Sequence, residues 1–326
     1  MSAAVIGVDV GGTTTAAGLV TATGEVVIEA QSPTHVRGPG RALETIVDLI
    51  DTMLAGARGR GFSVDGIGLG LPGIIDAARG RVGEEIPHVP ELAGRPVAAL
   101  LADRFGIPVF IDNDVNALAL AEWTFGASRG VGSLVVLAPG TGFGAGIVLD
   151  GHLVRGAAGF GGEFGHAPVK FDGRPCWCGG RGCLAVYASG RGIAEAARER
   201  AALPSGAGLA RAAGGDLSAI TAPLVFRCAA DGDPVATAIV DEACQALGAM
   251  IGTIVNGLNP DVIIVTGGVA GSFAALETRI LAAAAEYALK RALGATSVRI
   301  VASDKRVTTR GAAALVRYEM RRRGSA

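Results

Sequence analysis

Aromatic residues are scarce in this 326-residue chain, at 5%, although half of its residues are hydrophobic. The core must therefore be built mainly from Val, Ile, Leu and Ala. Charge is nearly balanced, with a formal net charge of −1, so composition gives no electrostatic reason to expect nucleic acid or an anionic membrane as a partner. Glycine, in contrast, is abundant at 51 residues. Its clusters between apolar β-branched runs predict tight turns rather than collagen or disorder.

Long unbroken hydrophobic segments are missing too. Asp9 interrupts the first apolar stretch and no basic segment precedes it, so we expect no signal peptide. The longest uncharged run, 132–149, contains Pro139 and five glycines, which argues against a transmembrane helix. Three of the five cysteines lie within 176–183, and without an export signal this indicates metal binding rather than disulfides. The sequence predicts a cytoplasmic α/β protein.

The predicted elements alternate between strands and helices. Strands are predicted at 4–10, 15–20, 25–30, 66–71, 107–111, 261–266 and 298–302. Helices are predicted at 41–58, 96–105, 115–125, 189–201, 207–212, 216–229, 234–257, 271–292 and 309–322.

The opening segment is repeated later in the chain. Residues 12–20 align with 140–148 at a constant offset of 128, with Gly18 on Gly146. Both copies have the pattern strand, Gly-Thr turn, small residues, strand. This predicts two similar domains facing each other across a cleft. The alternative is two unrelated glycine-rich hairpins.

The two repeated turns carry the chemistry of a phosphate site. In 9–13 (DVGGT), the glycines let backbone amides wrap an anion and Thr13 adds a hydroxyl donor. Asp9 could hold Mg²⁺ through water. With 140–142 (GTG), this makes two turns that could bind the phosphates of a nucleotide; plain hairpin turns are the alternative. Residues 68–73 also match the dinucleotide pattern G-x-G-x-x-G, but no helix follows them, so a dehydrogenase is not expected.

Acidic residues follow a predicted strand at 112–114 (DND). Carboxylates at the carboxyl end of a parallel strand lie where α/β folds place ligands, and one there could accept a proton from a substrate hydroxyl. Asp and Asn also favour Asx turns and helix N-caps, the interpretation we favour for Asp112. For Asp114 the residues alone leave both interpretations open.

One cluster has the composition of a structural metal site. Three thiolates and one imidazole within eighteen positions make a closed tetrahedral Zn²⁺ set without an open position for water. Free cysteines and a surface histidine are the alternative. Cys228 and Cys244 lie on helical patterns and are expected to be buried thiols. The predicted zinc ligands are His166, Cys176, Cys178 and Cys183.

In this order, the motifs resemble those of the ROK family of bacterial sugar kinases and sugar-responsive regulators, glucokinases especially, over nearly the whole chain. The resemblance implies an actin-like (ribonuclease H-like) α/β fold of two domains with a central cleft. It implies a smaller domain at 1–114 plus 306–326, and a larger domain at 115–305 with the zinc loop and oligomer contacts. The matching segments are DVGGTTTAAG at 9–18, LPGIID at 71–76, DNDVNALALAEW at 112–123, PGTGFGAGIVLDG at 139–151, GGEFGHAPV at 161–169, CWCGGRGC at 176–183 and IIVTGGVA at 263–270.

The resemblance also implies roles. Asp114 would be the general base that takes the proton from the attacking sugar hydroxyl, usually at C6. ATP, Mg²⁺ and a sugar would be bound by a homodimer or homotetramer. The implied sugar contacts are Gly73, Asn113, Glu163 and His166. The implied nucleotide-site residues are Asp9, Gly11, Gly12, Thr13, Thr141, Gly142, Gly267 and Gly268.

One position departs from the family pattern. Members that phosphorylate glucose or N-acetylmannosamine carry a glutamate two residues after the last zinc cysteine, where this chain has Ala185. A hydrogen bond to a charged group contributes about 1.5–3 kcal/mol, so the change predicts glucose binding weaker by about tenfold or more. A modified hexose such as an amino sugar is then a reasonable substrate. His88 could compensate, although a surface histidine is the favoured interpretation.

Phosphoryl transfer from ATP to a hexose or hexose derivative is therefore the predicted function, with domain closure excluding water. Polyphosphate is an alternative donor. A non-catalytic ROK-type sugar sensor is an alternative function. A DNA-binding regulator is disfavoured because such proteins carry an N-terminal helix-turn-helix, whereas here the first strand begins by Ala4.

Overall fold

The computed structural model describes residues 2–84, 86, 88–303 and 306–324. Its strands are β1 (Ser2–Val10), β2 (Thr14–Thr21), β3 (Val26–Pro33), β4 (Phe62–Leu71), β5 (Ile75–Asp76), β6 (Arg81–Val82), β7 (Val109–Asn113), β8 (Leu134–Pro139), β9 (Phe143–Leu149), β10 (His152–Leu153), β11 (Val262–Val265) and β12 (Ser297–Ile300). Its α-helices are α1 (Ala42–Gly59), α2 (Val97–Phe105), α3 (Asp114–Phe125), α4 (Ala185–Ala188), α5 (Gly190–Ala201), α6 (Ala207–Ala212), α7 (Ala222–Ala230), α8 (Pro234–Leu258), α9 (Ala270–Ala274), α10 (Glu277–Tyr287), α11 (Lys290–Ala295) and α12 (Arg306–Gly324).

Two five-stranded sheets share one strand order. The first runs β3-β2-β1-β4-β7 and the second β10-β9-β8-β11-β12. When the strands of each sheet are numbered in chain order within that sheet, both sheets have the order 3-2-1-4-5. The last three strands of each order run parallel. The repeated Gly-Thr turns follow the equivalent strands β1 and β8, so the internal repeat predicted from the sequence is confirmed in the strand order.

The described residues form two compact units. Unit 1 takes those within 1–131, 146–161 and 304–326, and unit 2 those within 132–145 and 162–303. The predicted boundary after residue 114 differs from this division, because α3 and residues 146–161 belong to unit 1. Close packing explains the difference: a Cβ on Gly311 of α12 would lie 2.6 Å from the carbonyl oxygen of Ala117 in α3.

In unit 1, glycines let α12 lie directly on the sheet. A Cβ on Gly7 of β1 would overlap the Thr309 carbonyl, and one on Gly68 of β4 would overlap the Ala312 carbonyl. Side chains alternate along a strand, so Ile6 and Val8 point to the other face. There they are fully buried in a cluster with residues of α1. Unit 1 is therefore a sheet between two helical layers.

In unit 2, α8 is the central helix. By length and composition it could cross a membrane, but 67% of its most apolar stretch is buried, as in a core helix of a soluble protein. Gly248 and Gly252 let α10 pack closely on it. Cys228 and Cys244 are buried, as expected.

The helix predicted at 271–292 is wrong in extent, since three short helices occupy this segment. Asn256 of α8 stabilises the break between α10 and α11. Its Nδ2 donates to the Tyr287 carbonyl at 2.7 Å and its Oδ1 accepts from the Leu289 amide at 2.9 Å. The helix predicted at 216–229 also begins later, at Ala222.

Candidate active site

The predicted site residues of unit 1 lie at one edge of its sheet. Strands β1, β4 and β7 are parallel, so their carboxyl ends meet at this edge. The register pairs Asp9 with Gly70 and Gly70 with Asp112. The predicted site residues along this edge are Asp9, Gly11, Gly12, Thr13, Gly73, Asn113 and Asp114.

Asn113 begins α3 as its N-cap. Its Oδ1 accepts from the amides of Val115 at 2.9 Å and Asn116 at 3.3 Å, and its Nδ2 donates to the Gly73 carbonyl at 3.0 Å. Asp114 is the first residue of α3, where the helix dipole favours a negative charge. The N-cap role favoured for Asp112 is therefore wrong: β7 continues two residues beyond its predicted end, and Asn113 caps the helix.

Asp112 is instead a buried carboxylate, 1% exposed. Its Oδ2 accepts from Nε of Arg155 at 2.7 Å, and Arg155 also donates to Glu319 of α12 at 2.6 Å. Burial opposes the charge of Arg155, but the two carboxylates outweigh it and raise the pKa of the guanidinium. Nothing in the sequence around Asp112 points to Arg155, because a single arginine 43 positions away carries no local signal.

The first Gly-Thr turn, the predicted phosphate turn of unit 1, is closed by hydrogen bonds. The Gly11 amide donates to the Thr14 carbonyl at 3.0 Å, and the Thr34 hydroxyl donates to the Gly11 carbonyl at 2.6 Å. A Cβ on Gly12 would lie 2.5 Å from Cβ of His88, so the exposed His88 lies directly against this turn. Beside it, burial raises the pKa of Asp9, which a hydrogen bond with Thr308 partly opposes.

The second Gly-Thr turn lies at an edge of the unit 2 sheet. Strands β8 and β11 are parallel, so the turns that follow them are neighbours. The Val269 amide donates to the Pro139 carbonyl at 2.9 Å, and the Arg191 amide at the start of α5 donates to the Thr141 carbonyl at 3.0 Å. A Cβ on Gly142 or Gly268 would meet nothing within 4 Å. This edge brings together Thr141, Gly142, Gly267 and Gly268.

The four predicted metal ligands converge in unit 2. All their ligand atoms lie within 4.8 Å of one another. The Sγ atoms of Cys178 and Cys183 are 3.7 Å apart, as are Sγ of Cys176 and Nδ1 of His166. Zn–S bonds of about 2.3 Å in a tetrahedron put neighbouring sulfurs about 3.8 Å apart, so the spacing fits Zn²⁺.

Glycines shape the loop around these ligands. Gly179 and Gly182 have φ values of 88° and 69°, which residues with side chains rarely adopt.

The environment of Cys183 opposes its ionisation. Burial, with the neighbouring thiols, raises the pKa of Cys183 to about 12. Such a thiol favours its protonated form unless a cation is bound.

Glu163 and His166 are joined through a short 3₁₀ turn at Phe164–His166. The His166 amide donates to the Glu163 carbonyl at 3.0 Å. A Cβ on Gly165, between them, would overlap the Phe143 carbonyl of β9, so the turn lies tightly on the sheet. Ala185 begins α4 just after the loop that carries the predicted metal ligands and is 1% exposed.

Two sheets of one order, each with a Gly-Thr turn after its first strand, define the actin-like two-domain α/β fold. The sequence model of the ROK family matches residues 5–319, and the chain belongs to this family.

Two named relatives are similar over at least 74% of the chain. A glucokinase of Halalkalibacterium halodurans is 36% identical over 302 residues, covering 90% of this chain and 89% of the relative. A xylose repressor of Caldicellulosiruptor bescii is 32% identical over 245 residues, covering 74% of this chain and 60% of the repressor.

Solved structures show the same fold. The ROK hexokinase of Thermus thermophilus is 31% identical and has a TM-score of 0.80. The match covers 98% of this chain and 99% of the hexokinase. The ROK family glucokinase of Streptomyces griseus, solved with glucose and AMPPNP, is 31% identical, with coverages of 96% and 98% and a TM-score of 0.70.

Proposed function

We propose that this chain, a ROK-family sugar kinase, transfers the γ-phosphoryl group of ATP to the 6-hydroxyl of a hexose or hexose derivative, with Asp114 as the general base. One observation carries the proposal: Asp114 begins α3 at the sheet edge that also carries the turn at 11–13. A carboxylate and a phosphate turn on one edge are what proton removal and phosphoryl transfer require.

In this mechanism Asp114 accepts the proton of the attacking hydroxyl. The other contributions are positioning and charge stabilisation, as is usual for phosphoryl transfer. Backbone amides of each Gly-Thr turn are proposed to bind phosphate oxygens. Asp9 would hold Mg²⁺, which when bound would neutralise phosphate charge. The sugar hydroxyls are bound by Gly73, Asn113, Glu163 and His166.

Zn²⁺ has a structural part in the proposal. Its proposed ligands converge at tetrahedral spacing and leave no position for substrate. The Nδ1 atom of His166 is the one near Cys176. If Nδ1 binds the metal, Nε2 carries the proton and can donate to a sugar hydroxyl. The metal loop would then orient both His166 and the adjoining Glu163.

The preferred sugar is proposed to be a modified hexose, such as an amino sugar. The support is Ala185, whose methyl group offers no hydrogen bond to the hydroxyls near C1 and C2. We also propose a homodimer or homotetramer, in line with the resemblance. Phe171, next to the metal loop, is 96% exposed and is a candidate for such an interface.

Sugar phosphate formation across a panel of hexoses and amino sugars, with ATP or polyphosphate as donor, tests the proposal; with ATP it is accompanied by ADP release. We expect ATP-dependent turnover with at least one sugar, and a kcat/KM for glucose below that for a modified hexose. Nucleotide binding without turnover on any sugar would contradict it.

That contradicting result would favour a second candidate, a sugar sensor without catalysis. Two observations support it: the similarity to a xylose repressor and Ala185 in place of a sugar-binding carboxylate. Calorimetric titration with the same panel separates the candidates, since a sensor would bind a sugar yet release no ADP.

A further inference from the structure

A buried ion network stands directly behind the proposed base. Asp112, two residues before Asp114, is 1% exposed. Its Oδ1 accepts from the Asn113 amide at 2.7 Å and from Nδ2 of Asn116 at 2.9 Å. The donors are the backbone amide of the α3 N-cap residue and a side chain of the first turn of α3, so this carboxylate binds the chain on either side of Asp114.

The other oxygen of this carboxylate is held from elsewhere in unit 1. Oδ2 of Asp112 lies 2.7 Å from both Nε and an Nη of Arg155. The guanidinium is itself fixed: it donates to Glu319 at 2.6 Å and its centre lies 5.6 Å from the ring centroid of Tyr318. The Tyr318 hydroxyl accepts from the Leu153 amide at 2.9 Å, which anchors the segment that carries Arg155 to α12.

We propose that Arg155 is a positioning residue for phosphoryl transfer. It holds Asp112, and through Asp112 the first turn of α3, in the geometry that points the Asp114 carboxylate at the sugar hydroxyl. The inference rests on the proposed function, because it concerns the base named there.

The chemistry of the network favours this role over a simple packing role. A buried carboxylate needs its charge neutralised and its lone pairs occupied. Without Arg155, the only hydrogen-bond donors left to Asp112 among those described would be Asn113 and Asn116. The uncompensated charge of Asp112 would then attract water or displace the first turn of α3. A base displaced by about 1 Å can lose about a hundredfold in rate.

The test compares Arg155→Gln with the paired variant Asp112→Asn/Arg155→Gln. Arg200→Gln is a matched control, since Arg200 forms a 2.7 Å ion pair with Glu242 in unit 2. Each protein is assayed for kcat, sugar Kd and folded fraction by circular dichroism. Arg155→Gln should lose about tenfold to a hundredfold in kcat per folded molecule, with sugar Kd changed by less than about threefold.

The paired variant should recover most of the kcat, because no unpaired buried charge remains. The control should stay within about twofold of the parent. If Arg155→Gln does not fold, Arg155→Lys is measured instead. Lysine keeps the positive charge but cannot bind Asp112 and Glu319 as the planar guanidinium does, so a smaller loss in kcat, still above about twofold, is expected at unchanged Kd. A kcat within about twofold of the parent, or a loss matched by an equal rise in Kd, overturns the inference.

The Asp114→Asn background separates this inference from the proposed function. If Asp114→Asn retains activity, the proposed base is wrong. If Asp114→Asn is inactive but Arg155→Gln is normal, only the positioning role fails. Adding Arg155→Gln to Asp114→Asn should cause no further loss of residual turnover, since the group to be positioned is gone; an additive loss would indicate a general structural role.

Discussion

Replacing Asn113 by alanine should both destabilise unit 1 and weaken sugar binding. Loss of an N-cap costs about 1 kcal/mol, and up to about 2. Loss of the hydrogen bond to the Gly73 carbonyl, at 3.0 Å, costs about 1 kcal/mol more. The expected total is about 2–3 kcal/mol. For a cooperative unit of this size, that lowers Tm by roughly 4–10 °C.

Asn113→Ser is the matched control. Serine caps helices about as well as asparagine but cannot reach the Gly73 carbonyl, so it should recover about 1 kcal/mol of the loss. Thermal unfolding followed by circular dichroism measures the difference, and sugar KM should rise in both variants. Equal Tm values for the serine and alanine variants would refute the capping role. An unchanged KM would refute the sugar contact.

Three further predictions concern other parts of the molecule. Cys178→Ala should reduce zinc per chain, measured by mass spectrometry, whereas Cys228→Ala should not; equal zinc in both would contradict the ligand set. Gly68→Ala should destabilise by about 1–3 kcal/mol because its Cβ overlaps α12, while Gly257→Ala, with open space around it, should be neutral or stabilising in urea unfolding. Ala185→Glu should raise kcat/KM for glucose relative to amino sugars by about tenfold; unchanged selectivity would contradict the role assigned to this position.

Much of the fold follows from short-range patterns. The turn glycines and the small residues after them recur at one offset, and the structure repeats the strand order around them. The proposed zinc ligands are close in sequence, so their convergence needs only a tight loop. In each case the information lies within a few residues.

The errors arise where a distant partner decides the local structure. Asp112 looks like a turn residue, yet it lies within strand β7 as a buried carboxylate whose charge is neutralised by the distant Arg155. The break between α10 and α11 depends on Asn256 of α8, which supplies the hydrogen bonds that a continuous helix would have made itself. Neither partner can be identified from the segment that it changes.

The most direct test of the account is the turnover of Asp114→Asn on the best sugar of the panel. The account predicts that kcat falls by roughly 10²–10⁴-fold, as for loss of a general base, while zinc content, thermal unfolding and nucleotide affinity stay unchanged. A kcat within about tenfold of the parent, below the usual contribution of a general base, would contradict Asp114 as the base.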